Sequence, residues 1–120
     1  MFKENDLFFS HEIDESLNNA LDSEKQLYVY RIVQEALANV IKHANAQAVF
    51  IKLERVNNTM ELLIKDNGSG FDKGLIEKEE RYKLGLSSMQ HRASFINGSI
   101  DIQSEKGEGT SILLKIPITQ

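Results

Sequence analysis

One long stretch of helical periodicity limits the folds open to this chain more than any other part of the sequence. Between residues 27 and 44, apolar side chains recur at steps of three and four, as in a helix that packs one face on a core. Ser23 is the expected N-cap, with Gln26 as its capping-box partner. We therefore predict a helix over 23–44. Its expected apolar stripe consists of Leu27, Tyr30, Val33, Leu37, Val40, Ile41 and Ala44.

The other segments place this helix in an α+β fold. A second amphipathic helix is predicted over 86–96, ending in a glycine C-cap at Asn97-Gly98, and the charged segment 71–84 is predicted to be a mobile loop. Strands are predicted near residues 7–13, 49–53, 60–64, 99–103 and 111–118, with a turn at Asn57-Asn58. The order predicts a two-layer sandwich, with two helices on one face of a mixed, mostly antiparallel sheet.

Composition narrows the class of protein. The 120 residues, 41% of them hydrophobic, suit a single domain over 1–120 with one core. The absence of cysteine excludes disulfides, thiolate metal sites and cysteine nucleophiles. A net charge of −4 without a basic run argues against nucleic acid as a partner. No apolar run approaches the roughly 20 residues that cross a bilayer, so no direct membrane contact is expected.

The polar side of the first helix carries candidate chemistry. Glu35 and Asn39 are four residues apart and therefore neighbours, with Lys42 and His43 one turn further on. The Asn39 oxygen suits Mg²⁺, Glu35 suits orientation of a nucleophile, and the two cations suit phosphate oxygens. A solvated helix face explains the same residues, and a cation favoured by the helix dipole explains His43.

Three glycine-bearing segments follow this helix. In Asp66-Asn67-Gly68-Ser69-Gly70-Phe71, the carboxylate can accept a purine amino group, while Gly68 and Gly70 let the backbone approach a flat ring. Gly85-Leu86-Ser87-Ser88-Met89 reads as a helix start, which binds anions through free amides. In Gly107-Glu108-Gly109-Thr110, the Thr110 hydroxyl can join Asp66 around a base. An ordinary turn, helix start and hairpin explain the three segments equally well.

Together these segments resemble the nucleotide-binding boxes of the GHKL superfamily, which includes DNA gyrase, MutL and the sensor histidine kinases of two-component systems. Residues 34–44 resemble the N box, 66–71 the G1 box, 85–92 with Arg92 the G2 region, and 107–110 the G3 region. The chain is identified as a catalytic and ATP-binding domain of a histidine kinase. Glu35 with Lys42-His43-Ala44, and a short 71–84 segment without a clear F box, are similar to kinases that pair with LuxR/NarL-type response regulators.

The resemblance implies a left-handed sandwich of the Bergerat type that binds ATP and Mg²⁺. In it, Asp66 accepts the adenine amino group, Asn39 is a magnesium ligand and Glu35 polarises the attacking imidazole. The ATP lid is residues 71–84. Phosphate contacts are expected from Lys42, His43 and the backbone around Gly85.

The resemblance also implies partners that this sequence does not contain. No helix with the family's His-Asp phosphoacceptor motif precedes residue 25, and His11 has no aspartate beside it. We therefore expect a cytoplasmic domain of a larger protein, working with the dimerisation and phosphoacceptor domain of the same kinase and with a LuxR/NarL-type response regulator. The alternatives are an anti-sigma-factor serine kinase, another GHKL ATPase, or a degenerate interaction module without nucleotide.

Overall fold

The computed structural model describes residues 8–17, 19–40, 47–68, 80–105 and 108–118, and among these the side chains of 80–85 and 105 are left out. The helices are α1 (Ser23–Asn39) and α2 (Glu80–Phe95), and a short 3-10 helix covers Glu15–Leu17. The strands are β1 (Phe8–Ile13), β2 (Ala48–Val56), β3 (Thr59–Asp66), β4 (Ser99–Glu105) and β5 (Gly109–Pro117). This is the predicted order of helices and strands.

The five strands form one mixed sheet in the order β1-β2-β3-β5-β4. Strand β1 is parallel to β2, and the other neighbours are antiparallel. The helices lie on one face, so the predicted α+β sandwich is confirmed. Because β5 runs between β3 and β4, the end of β3, the start of β5 and the end of β4 lie side by side.

The core lies between the helices and one face of the sheet. Alternate residues of the strands point into it, as the period of two requires. Within the described residues, no helix has both the length and the apolar character needed to cross a bilayer. The rings of Tyr28 and Phe95 stack with centroids 5.7 Å apart and join α1 to α2. Prominent fully buried side chains are Ile32, Val49, Met89, Ile96, Leu114 and Ile116.

The buried stripe of α1 agrees only in part with the predicted one, because Val40 is buried and Val33 and Leu37 pack against the core, but the first two predicted residues do not. Leu27 and Tyr30 are 53% and 59% exposed, whereas Ile32 and Ala36 are completely buried. Apolar residues surround much of this helix, so more than one stripe satisfies the helical spacing, and packing on the sheet selects between them. Asn39 follows Ala36 by three residues and lies on the buried face, where the prediction had placed it on the solvent side.

The N-terminus of α1 is capped by Asp22 and not, as predicted, by Ser23. The Asp22 carboxylate accepts the Lys25 backbone N–H at 2.9 Å, and Ser23 is already helical. Gln26 donates its side-chain N–H to the carbonyl oxygen of Leu21. Since Ser23 is not the cap, it is not the first residue of a capping box with Gln26. The carboxylate satisfies an otherwise unpaired amide and also meets the positive end of the helix dipole.

Asp22→Ala is expected to lower the free energy of unfolding by about 1 kcal/mol, because a backbone N–H of α1 loses its acceptor. Urea unfolding at pH 7 measures the loss. Ser23→Ala is the matched control and is expected to change stability by less than about 0.5 kcal/mol. A larger loss from the serine variant would contradict the assignment of Asp22 as the cap.

Helix α2 begins at Glu80, not at Leu86 as predicted. The predicted loop is therefore wrong for residues 80–84, and 71–79 lie outside the described residues. Glu80, Arg81, Lys83 and Leu84 are good helix formers, and together they offset the roughly 1 kcal/mol that a glycine costs inside a helix. Gly85 thus lies more than one turn inside α2, and it does not supply the free helix start on which its anion site was predicted.

The end of α2 uses Asn97 where the sequence predicted glycine. Asn97 has the left-handed conformation, with φ 59°. The N–H of Gly98 then donates to the carbonyl oxygen of Ala93 at 2.8 Å, a bond typical of helix C-termini. Gly98 serves the packing instead, because a Cβ there would lie 2.9 Å from the carbonyl oxygen of Lys115 on β5.

Candidate functional site

The buried polar side chains of the described residues converge on one cavity. Asn39, Asp66 and Thr110 are 9%, 5% and 8% exposed. All three line a cavity with an empty volume of about 260 Å³, open solvent at its mouth included. The other described residues of its lining are apolar: Ala36, Val40, Leu86 and Ile112. Buried polar groups are uncommon because burial costs free energy, so three of them around one cavity mark it as the candidate site.

Asp66 ends β3 inside this cavity. One carboxylate oxygen accepts the backbone N–H of Gly68 at 2.8 Å, and the backbone amide of Thr110 also bonds the carboxylate. Burial raises the pKa of Asp66, and the two amide bonds only partly offset it. A carboxylate has about four acceptor positions, so Asp66 retains capacity for a donor from a ligand.

Gly109 allows β5 to start directly against Asp66. Its φ is 88°, which side-chain-bearing residues rarely adopt, and a Cβ would collide with the carbonyl oxygen of Asp66. The strand therefore begins two residues earlier than the predicted start at Ser111. This approach brings the Thr110 amide to the Asp66 carboxylate, whereas the Thr110 hydroxyl lies 2.8 Å from the hydroxyl of Ser104 on β4.

Asn39 enters the cavity from α1, one turn after Ala36. Its Nδ2 is buried and has no hydrogen-bond partner among the described residues. An unpaired buried amide costs roughly 1–3 kcal/mol, which makes Asn39 a candidate for contact with a ligand. A neutral amide offers an oxygen to a hard cation and an N–H to an anion. The residue therefore fits a role beside a metal–phosphate group.

Asn67 ties the segment after Asp66 to the start of β2. Its side-chain oxygen accepts the backbone N–H groups of Gln47 and Ala48 at 2.9 and 2.8 Å. The backbone N–H of Asn67 donates to the Ala48 carbonyl oxygen at 3.2 Å. These bonds hold the end of β3 next to the segment that precedes β2, and so restrain the backbone immediately after Asp66.

Asn67→Leu is expected to lower the free energy of unfolding by about 1–2 kcal/mol, because two backbone N–H groups lose a shared acceptor. Asn67→Asp is the matched control, since a carboxylate accepts both bonds and should preserve stability. Urea unfolding compares the two variants. Equal losses from leucine and aspartate would contradict this role of the side-chain oxygen.

The structure brings together part of the predicted site. Asn39, Asp66, Leu86 and Thr110 share the cavity, and Gly68 donates to Asp66. Glu35 is half-buried on α1 and lies outside the cavity lining, and Gly85 is inside α2. Lys42, His43 and Gly70 were also predicted and lie outside the described residues. Histidines 11 and 91 belong to other regions, and no cluster of metal-ligating side chains occurs in the described segments.

Two residues that contact the site residues, Asn67 and Ser104, were not predicted from the sequence to have a role. Asn67 was part of the Asp66 segment but had no assigned role, and Ser104 lay beyond the predicted end of a strand. Strand β4 continues to Glu105, and this places Ser104 opposite Thr110. The alternation Ile100, Ile102, Ser104 was the available signal, because it puts Ser104 on the core face.

The cavity has the chemistry for a flat heterocycle joined to a charged group. Apolar side chains from α1, α2 and β5 can cover the faces of a ring, and Asp66 can accept a hydrogen bond from its edge. Asn39 offers amide groups to the charged part of the ligand. A few polar groups in a mostly apolar cavity, as the described part of the lining shows, are typical of small-molecule sites.

A protein family and several known proteins match most of this chain. Residues 24–120 match the family described as histidine kinase-, DNA gyrase B- and HSP90-like ATPase. The chain is 32% identical over 107 residues to the signal transduction histidine-protein kinase/phosphatase DegS of Bacillus subtilis, and 40% identical over 94 residues to DegS of Brevibacillus brevis. These matches cover 89% and 78% of this chain, but only 28% and 24% of the two relatives.

Solved structures resemble the chain as well. The ATP binding domain of PrrB from Mycobacterium tuberculosis superimposes with a TM-score of 0.65 at 27% identity, over 78% of this chain and 69% of that one. The histidine kinase domain of a blue-light activated kinase from Erythrobacter litoralis has a TM-score of 0.77 at 16% identity, over 94% and 52% of the two chains. The second match shows a shared fold.

Proposed function

Because this chain belongs to the family of histidine kinase-, DNA gyrase B- and HSP90-like ATPases, we propose that it binds Mg-ATP for a two-component sensor kinase. It supplies the γ-phosphoryl group to a histidine on a separate dimerisation domain of that kinase. The observation that carries the proposal is the convergence of Asn39, Asp66 and Thr110 on one cavity. The names of the DegS relatives support a histidine kinase among the family's activities.

In this proposal the adenine ring lies between the apolar side chains of the cavity. Asp66 accepts the adenine amino group, and Gly68 holds the carboxylate through its N–H. Leu86 contacts the ring, since it belongs to the apolar lining. Gly70, for which we propose close approach of the backbone to the nucleotide, lies outside the described residues.

Asn39 is the proposed magnesium ligand. Its amide projects into the cavity and has an Nδ2 without a partner among the described residues. A bound Mg²⁺ would neutralise charge on the β- and γ-phosphates. We propose further phosphate contacts from Lys42 and His43, and a lid formed by residues 71–84, of which 80–84 are the first residues of α2.

Glu35 is the proposed catalytic residue and polarises the attacking imidazole. Glu35→Ala in the full-length kinase is expected to slow phosphoryl transfer by roughly 100-fold, because the nucleophile loses its acceptor. The affinity for ATP should change by less than threefold, since Glu35 lies outside the cavity lining. Single-turnover labelling and calorimetry measure the two effects. A loss confined to affinity would make Glu35 a binding residue.

The chain spans about a quarter of the length of the DegS relatives, so the partners are part of the proposal. They are the dimerisation and phosphoacceptor domain of the same kinase and a response regulator of the LuxR/NarL type. Similarity to DegS is consistent with that regulator type. We also propose a cytoplasmic location for the domain.

Calorimetry of this chain with ATP, with and without Mg²⁺, tests the nucleotide site. We expect magnesium-dependent binding, whereas a degenerate interaction module would give no binding heat. The full-length protein then identifies the acceptor. A phosphohistidine is stable in alkali and labile in acid, so an acid-stable phosphoserine on a partner protein would favour the serine kinase instead.

A further inference from the structure

A row of three polar residues crosses the sheet at the cavity. Ser104 on β4 is the ladder partner of Thr110 on β5. On the other side of β5, Lys65 pairs with Ser111, which brings Asp66 beside Thr110. Asp66 and Thr110 line the cavity, whereas Ser104 lies outside the lining and contacts Thr110 from behind. Ser104 therefore influences the cavity through Thr110.

The hydrogen bonds of Ser104 bear on whether the Thr110 hydroxyl donates or accepts. The Ser104 oxygen lies 3.2 Å from the Gly109 carbonyl oxygen and 2.8 Å from the Thr110 hydroxyl oxygen. A carbonyl oxygen only accepts, so in the contact with Gly109 the Ser104 hydroxyl is the donor. In the contact between the two hydroxyls, either oxygen can donate. When Ser104 gives its proton to Gly109, Thr110 is the donor to Ser104 and its oxygen presents only lone pairs to the cavity.

We propose that Ser104 is a positioning residue that keeps the Thr110 hydroxyl an acceptor and thereby selects the base. This inference rests on the proposed nucleotide-binding function. With Thr110 held as an acceptor beside the Asp66 carboxylate, this part of the cavity offers no side-chain donor from either residue. A base with an amino group satisfies both acceptors, whereas a base with an oxo group at the same place brings a third acceptor against them.

Titration with Mg-ATP and with the magnesium complex of inosine triphosphate tests the proposal, because inosine has an oxo group where adenine has its amino group. Wild-type protein is expected to prefer ATP. In Ser104→Ala the Thr110 proton is released and can turn toward the oxo group. The ratio of the two affinities should therefore fall by about 3- to 10-fold, the effect of one hydrogen bond.

Two variants serve as controls. Ser104→Thr keeps a hydroxyl at the same position and is expected to retain the wild-type ratio. Ser111→Ala makes the same chemical change on the adjacent strand, where Ser111 pairs with Gln103 on the opposite face of the sheet. It is expected to leave both affinities unchanged.

The outcomes separate this inference from the proposed function. If wild-type protein binds ATP and the ratio is unchanged in Ser104→Ala, the inference is overturned and the function stands, even when both affinities fall together. If wild-type protein binds neither nucleotide, both are overturned. Should the alanine variant not fold, Ser104→Cys keeps the shape with a much weaker donor, and an unchanged ratio there likewise overturns the inference.

Discussion

Asp66→Asn is expected to weaken ATP binding by about 10- to 100-fold, which corresponds to a charged hydrogen bond worth roughly 1.4–2.8 kcal/mol. The variant places an amide where the adenine amino group needs an acceptor. The substitution is nearly isosteric, so the cavity should keep its shape. Calorimetry in the presence of Mg²⁺ measures the loss.

The same substitution is expected to leave the ligand-free domain at least as stable at pH 7. Burial raises the pKa of Asp66 above its ordinary value of 3.8, despite the amides of Gly68 and Thr110. The stability that comes from protonated Asp66 is therefore fully present below pH 3.8, and it is lost as the pH rises through the raised pKa of the folded state. At neutral pH the carboxylate is a net cost to the fold, and the neutral amide removes that cost.

Urea unfolding of both proteins from pH 4 to 7 tests this expectation. The decline in stability with rising pH that belongs to Asp66 should be absent in Asp66→Asn. Asp101→Asn is the matched control, because Asp101 is exposed on β4 and its carboxylate accepts a hydrogen bond from the Gln103 side chain of the same strand. Normal ATP affinity in Asp66→Asn, with the fold intact, would refute the assignment of Asp66.

Asn39→Leu is expected to abolish the magnesium dependence of nucleotide binding and to raise the stability of the ligand-free domain by about 1 kcal/mol. The gain arises because leucine has a similar volume and removes a buried Nδ2 that lacks a partner among the described residues. The loss of binding arises because leucine has no oxygen for a cation and no N–H for a phosphate. Calorimetry with and without Mg²⁺ and urea unfolding measure the two effects.

Gln34→Leu provides the comparison for Asn39→Leu. It replaces an amide by leucine on the same helix, but Gln34 is exposed. Its effects on stability and on nucleotide affinity should both be small. If Asn39→Leu instead destabilised the domain while magnesium-dependent binding persisted, Asn39 would be a structural residue and not a ligand of the metal.

Much of this architecture was accessible from the sequence because its signals are local. The turn at Asn57-Asn58 and the alternation in β3 identify a hairpin, and Asn57 indeed has a φ of 57°. The first residues of the two helices were harder to predict. Asp22 and Ser23 are both good caps, and only the backbone conformation decides that Asp22 accepts from Lys25. Likewise, Gly85 predicted a helix start, but the helix formers before it extend α2 to Glu80.

In the candidate site, too, local patterns were predictable from the sequence, whereas contacts between distant segments were not. Asp66 and Thr110 were recognised as polar residues beside glycines, a local pattern. Ser104 had no such pattern, because its role depends on its pairing with Thr110 on the adjacent strand. The role of Gly109 was equally hidden, since it depends on the distance between β5 and the backbone of Asp66.

By itself, the sequence determined the order of helices and strands, the α+β class and the residue types able to hold a nucleotide, since these depend on periodicity and on side-chain chemistry. Only the tertiary structure decided which face of α1 is buried, and with it that Asn39 meets Asp66 inside one cavity. The physical reason is that α1 has more apolar surface than it can bury, so packing on the sheet selects the stripe that places an amide beside a carboxylate.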